Sequence, residues 1–158
     1  MQFSFSYNKK KVIQALRYHF ISRSEIKLLI ILVNVFAIVA AALYYFKKIS
    51  PQPFLLSSFL WLMLMISFWF ILPGAIYKKA QTFKESFTIF FYEKHVRLEN
   101  TRGFVDWDWS RFSNYFESPD FFHLYFTPKS FFLVPKENLD ENTLFTIKEL
   151  LKNKIVKK

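Results

Sequence analysis

Two uncharged apolar runs constrain this chain more than any other feature. Leu28 to Phe46 carries no formal charge, and Asn34 is its only strongly polar residue; Phe54 to Leu72 is a second uncharged run of similar length. At 1.5 Å per residue, about 19 helical residues reach roughly 28 Å, close to the hydrocarbon thickness of a bilayer. A backbone in lipid must satisfy its own hydrogen bonds, so both runs are predicted to be helices. The link Lys47-Lys48-Ile49-Ser50-Pro51-Gln52-Pro53 is short, polar and broken by prolines, so the spans are expected to be antiparallel. Tyr44 and Tyr45 close the first run, and Trp69 and Tyr77 lie near the end of the second, where amphipathic aromatics suit headgroup depth. Pro73-Gly74 predicts a stop or kink on leaving the bilayer. A soluble core able to cover two all-round apolar helices needs more chain than 158 residues leave. The first run also starts too late, and is too long, for a cleaved signal peptide.

The net charge of +10 raises a nucleic-acid reading, which its distribution opposes. Lys9, Lys10, Lys11, Arg17, Arg23 and Lys27 stand before the first run against Glu25 alone, whereas the residues beyond 76 are close to balanced. That is a membrane-flank pattern and not a phosphate-tracking stripe, so no nucleic acid is expected. Lys78, Lys79 and Lys84 follow the second run, and only Lys47 and Lys48 lie in the loop. The positive-inside rule then places both termini in the cytoplasm. Lys9, Lys10, Lys11, Lys78, Lys79 and Lys84 are the candidates for contact with anionic headgroups. Asn34 is the candidate for a polar contact between the spans, with Ser57, Ser58 or Ser67 as its partner.

Outside the spans the periodicity changes. Phe3, Phe5 and Tyr7 alternate with polar residues, and Asn8 can cap a basic amphipathic helix over Lys9 to Ser22. So short a strand needs a sheet to join, and the only one available lies beyond residue 80. There, Ser86–Tyr92 and His95–Glu99 read as strands, Asn100-Thr101-Arg102-Gly103 as a hairpin turn, and Val105, Trp107 and Trp109 as one inward face. Ser118-Pro119-Asp120 turns the chain before Phe122, Leu124 and Phe126, and Phe131–Val134 is a last strand. A helix from Asp140 or Asn142 follows, with Leu144, Ile147, Leu150, Leu151 and Ile155 on one face. In the pairs Phe90-Phe91, Phe121-Phe122 and Phe131-Phe132, one ring is expected in the core and the other exposed or covered by a partner. The expected fold is membrane α+β: a strand and basic helix over 1–27, a two-helix transmembrane hairpin over 28–76 (spans 28–46 and 54–72), and a cytoplasmic antiparallel β-roll with a C-terminal helix over 77–158.

The order of these parts resembles the YcxB-like family of small bacterial membrane proteins. The resemblance rests on Phe3-Ser4-Phe5-Ser6-Tyr7 with its basic helix, the two close spans, Phe87-Thr88-Ile89, Val105-Asp106-Trp107-Asp108-Trp109 and Phe132-Leu133-Val134-Pro135-Lys136 before the last helix. It implies a pleckstrin-homology-like fold for the C-terminal part and a place in the bacterial cytoplasmic membrane. It transfers no activity and no active-site residues.

Candidate chemistry is sparse. Asp106 and Asp108 share a strand face, with Glu99 across a hairpin, but the alternation reads as tryptophans inward and carboxylates toward water. His95 and His123 lack partners at metal-ligand spacing, so no metal is expected. Absent cysteine excludes thiolate chemistry, two glycines exclude a Gly-rich phosphate loop, and no serine-nucleophile motif occurs. The chain reads as a non-enzyme without cofactor. The function expected is a membrane-anchored binding module for a protein partner or for lipid headgroups. An accessory or regulatory subunit of a larger membrane complex, or a homo-oligomer, is the alternative; an enzyme or transporter is the remote one, since the spans carry no charged residue for an ion path.

Overall fold

A computed structural model describes residues 1–137 and 139–156. The described chain divides into two compact units, residues 1–15 with 81–158 and residues 16–80. The division falls inside a helix.

The second unit contains α2 (Ser24–Tyr45) and a helical stretch from Pro51 to Lys79, built from α3 (Pro51–Ile66), a π-helical turn (Ser67–Ile71) and α4 (Leu72–Lys79). Both are long and apolar enough to cross a membrane, and only 6% of each apolar window is buried. Leu, Ile and Phe side chains left this open are stable against hydrocarbon, not water. Tyr44 stacks on Phe54 with ring centroids 4.7 Å apart, and Trp61 meets Asn34, so residues late in α2 face residues early in α3 and the hairpin is antiparallel. Lys47, with φ of 54°, makes the reversal.

The second helix does not stop at Pro73. Proline tolerates the first turn of a helix, where no N–H is required, but inside one it lacks a donor and crowds the carbonyl four residues back. Here the π turn widens the ladder immediately before Pro73, and the backbone resumes α geometry to Lys79. The first helix likewise begins at Ser24, a turn earlier than the uncharged run.

The first unit is α+β. β1 (Gln2–Ser6), β2 (Ser86–Phe91), β3 (His95–Asn100) and β4 (Gly103–Asp108) form an antiparallel sheet in that order. β5 (Asn114–Glu117), β6 (Phe121–Thr127) and β7 (Ser130–Pro135) form a second sheet, followed by α5 (Glu141–Lys154). β1 pairs with β2 from Gln2 opposite Phe90 to Ser6 opposite Ser86, so the isolated aromatic strand has found its sheet. Asn8 Oδ1 accepts from the Lys10 amide at 3.0 Å and starts α1 (Lys9–Ser22), as its residue type predicts.

The core gathers Phe5, Ile89, Val96 and Leu98 from the first sheet, Phe122, Leu124, Phe132 and Val134 from the second, and Ile147, Leu151 and Ile155 at and after α5. Two sheets thus share their inner faces with one helix. Asp140 caps α5 by accepting from the Thr143 amide at 3.1 Å.

Two expectations about faces are corrected, and one strand is added. β5 was not separable from its loop in the sequence, since it has only four residues. Trp109 is buried, but in a 3-10 turn after β4 and not on the strand; Val105 is exposed and Trp107 half-buried, because β4 is an edge strand. Phe121 and Phe122 are both buried, because β6 is the middle strand and is covered on each side. On the far side Phe121 stacks with Tyr7, and His123 packs on Phe116 and Phe131.

Candidate functional site

The six lysines do not share one environment. Lys9 and Lys10 are exposed in the first turn of α1. Lys11 instead reaches Glu137 at 3.2 Å and Asp120 at 3.6 Å. The hydrogen bond that Lys11 donates to Glu137, partly opposed by desolvation, holds its ammonium above its ordinary pKa. Lys11 therefore fastens α1 to the loops bounding β6 and β7. Lys78 and Lys79 are exposed in the last turn of α4, and Lys84 is exposed in the 3-10 turn before β2.

Asn34 is half-buried in α2. Its Nδ2 donates to the Ile30 carbonyl at 2.7 Å, and its Oδ1 accepts from Trp61 Nε1 at 3.2 Å. The partner is thus a tryptophan on α3 and not a serine. Ser57 and Ser67 donate to Phe54 and Met63 carbonyls of their own helical stretch, as hydroxyls in apolar helices commonly do.

The carboxylates of β4 are likewise engaged. Asp106 accepts from Arg97 Nε at 2.7 Å and Nη2 at 2.9 Å, a bidentate cross-strand pair. Those bonds hold its carboxyl below the usual range against a smaller desolvation effect. No group of three or more His, Asp or Glu that could hold a metal occurs among the described residues.

A polar cluster that sequence reasoning missed lies at the β5–β6 turn. His123 Nε2 and Ser118 Oγ are 3.0 Å apart, and both side chains are buried. Ser118 Oγ also donates to the Phe121 carbonyl at 3.1 Å. Beside them Lys136 Nζ donates to Glu117 at 2.6 Å and to the Ser118 carbonyl at 2.7 Å, and Lys148 reaches Glu117 at 2.9 Å. Burial pushes the Glu117 carboxyl up, but the two lysines together outweigh it and leave it below the usual range. With Ser118 only 4% exposed, a substrate cannot reach the hydroxyl, so the pair acts as an internal strut. Its only sequence signal was the turn Ser118-Pro119-Asp120.

The open surface of the first unit is the β4 edge. No strand flanks β4 among the described residues, Phe104 is 64% exposed and Val105 40%. The Arg97 guanidinium lies 4.5 Å over the Phe104 ring and covers one of its faces. In the second unit a different arginine is fixed. Arg17 Nε donates to the Trp69 carbonyl at 2.9 Å, with the guanidinium 4.9 Å from the Trp69 ring centroid and 5.6 Å from that of Phe70.

The chain thus joins two candidate membrane-spanning helices to an α+β unit of two antiparallel sheets followed by a C-terminal helix. Residues 91–151, from the end of β2 into α5, match the YcxB-like protein family, and the resemblance read from the sequence is borne out over that segment. No curated protein and no solved structure matches the chain.

Proposed function

We propose that this protein is a membrane-anchored binding module of the bacterial cytoplasmic membrane. Its two spans hold a pleckstrin-homology-like β-roll at the cytoplasmic face, and the roll recruits a protein partner along β4. The observation that carries this reading is the β4 edge, which no strand flanks among the described residues and on which Phe104 and Val105 are both exposed. An unpaired edge offers backbone donors and acceptors to an extended segment, and neighbouring apolar side chains supply affinity. The basic flanks Lys9, Lys10, Lys78, Lys79 and Lys84 support the cytoplasmic orientation. A constitutive partner would make the protein an accessory subunit of a larger membrane complex.

The test is native mass spectrometry of the protein extracted from its own membranes in mild detergent, beside the double variant Phe104→Ser, Val105→Thr. A co-purifying protein that the variant loses is the expected result. A bare monomer or dimer retaining particular lipids in both forms would turn the reading to headgroup recognition. A bare chain with neither would leave the hairpin as an anchor and remove support for the β4 edge.

A further inference from the structure

The unit formed by residues 16–80 carries one carboxylate, Glu25, against Arg17, Arg23, Lys27, Lys47, Lys48, Lys78 and Lys79. Glu25 lies 3.7 Å from Arg23. Arg17 has no ion-pair partner among the described residues, yet its guanidinium is fixed in place. Three contacts hold it: the hydrogen bond from Nε to the Trp69 carbonyl and the two rings beneath its plane.

The reason that carbonyl is available lies four residues on. In an unbroken α-helix the Trp69 carbonyl would accept from the amide of residue 73, but residue 73 is proline and has none. Pro73 therefore leaves that carbonyl without its α-helical donor, and the Arg17 side chain donates to it. The carbonyl is neutral, so this bond orients the guanidinium without neutralising it. It uses the Nε–H and leaves both Nη groups, the planar pair suited to two oxygens of one phosphate. Trp69 and Phe70 are exposed, at 47% and 61%, near the end of the second apolar run, where interfacial aromatics mark headgroup depth.

We propose that Arg17 is the anchor of a phospholipid site: its two Nη groups donate to two non-bridging oxygens of a headgroup phosphate, while Trp69 and Phe70 hold the guanidinium plane from below. The counter-charge that no described residue gives Arg17 is supplied by the lipid. This inference rests on the membrane reading above and is independent of the partner at β4.

The shared chemistry is a phosphate with two free oxygens, so free phosphate and lipid phosphate must be separated. Full-length protein in a non-ionic detergent, stripped of lipid, is titrated with phosphatidylglycerol and read by native mass spectrometry, with inorganic phosphate in excess as competitor. Arg17→Gln is expected to loosen lipid binding about tenfold, the loss of one charge-assisted pair. Arg17→Lys, whose ammonium keeps the charge but not the fork, is expected to recover only part of it. Lys79→Gln removes the same charge from α4 and is expected to change binding little. Equal loosening by Arg17→Gln and Lys79→Gln would reduce the effect to general electrostatics and overturn the proposal. Displacement of the lipid by inorganic phosphate would overturn its lipid source. Should Arg17→Gln lose helicity by circular dichroism, the comparison of Arg17→Lys with the unchanged protein decides, and indistinguishable affinities would reject the forked site. A chain that stays in solution without detergent would sink the membrane reading itself, whereas binding indifferent to Arg17 sinks this inference alone.

Discussion

Tyr7 shows how much one side chain can join. It sits one residue past β1, and its hydroxyl donates to the Leu133 carbonyl of β7 at 2.7 Å, across 126 residues of sequence. Its ring meets Phe5, Phe83, Phe87 and Phe121. Burial pushes its phenol well above the ordinary value. A raised pKa means that the folded state favours the neutral hydroxyl. Its contribution is whole below the unfolded tyrosine pKa of about 10 and is lost as pH rises through the folded value. Tyr7→Phe is expected to cost about 1 kcal/mol at neutral pH and to flatten the alkaline loss of stability above about pH 10, read by denaturant unfolding across pH. A variant as stable as the parent, with the same alkaline slope, would show that the bond contributes nothing. Tyr7 was legible as the last apolar member of a period-two strand. Its hydrogen bond was not, because no local pattern reveals which carbonyl is left short of a donor.

Among the elements, α5 was the most legible and β4 the least. The 3.6-residue spacing that selected Ile147 and Leu151 for one face is the spacing that buries them in the core. Phe145, on the other face, is 67% exposed. Ile147→Ala is therefore expected to cost about 3 kcal/mol, the usual range for emptying a buried aliphatic site, and Phe145→Ala about 0.5 kcal/mol or less. Thermal or chemical denaturation of the two variants checks the contrast; equal losses would mean that α5 docks by another face. β4 alternates as clearly as any strand, and its alternation misled. Alternation gives two faces but cannot say whether a covering layer extends to an edge strand, so Val105 stays open although it has the inward residue type. The second apolar helix carries the same lesson. Pro73 predicts a break, and a π turn with an outside donor for the Trp69 carbonyl turned that break into a continuation to Lys79.

At the scale of the whole molecule, the chain's first strand belongs to a sheet whose other strands lie beyond residue 85. Amide exchange of the full chain in detergent should show residues 2–6 slowed together with their β2 partners, since each ladder bond protects a donor. Rapid exchange across 2–6 with a protected β2–β3 hairpin would mean that the strand does not hold. Much here follows from sequence alone, because it depends on contacts near in the chain or on solvent. The length and apolarity of the two runs demand helices in lipid, the loop between them demands a reversal, and alternation and turn residues mark the hairpins on either side of Glu93-Lys94 and Thr101-Arg102. What only the tertiary structure decided depends on groups far apart in the chain. It ties Lys11 to Asp120 and Glu137, pairs Asn34 with Trp61, buries Ser118 with His123, and leads Arg17 to a carbonyl 52 residues away. The physical reason is common to all four: a polar group's role is set by which other polar groups the fold brings within its reach, and composition and period specify faces, not neighbours.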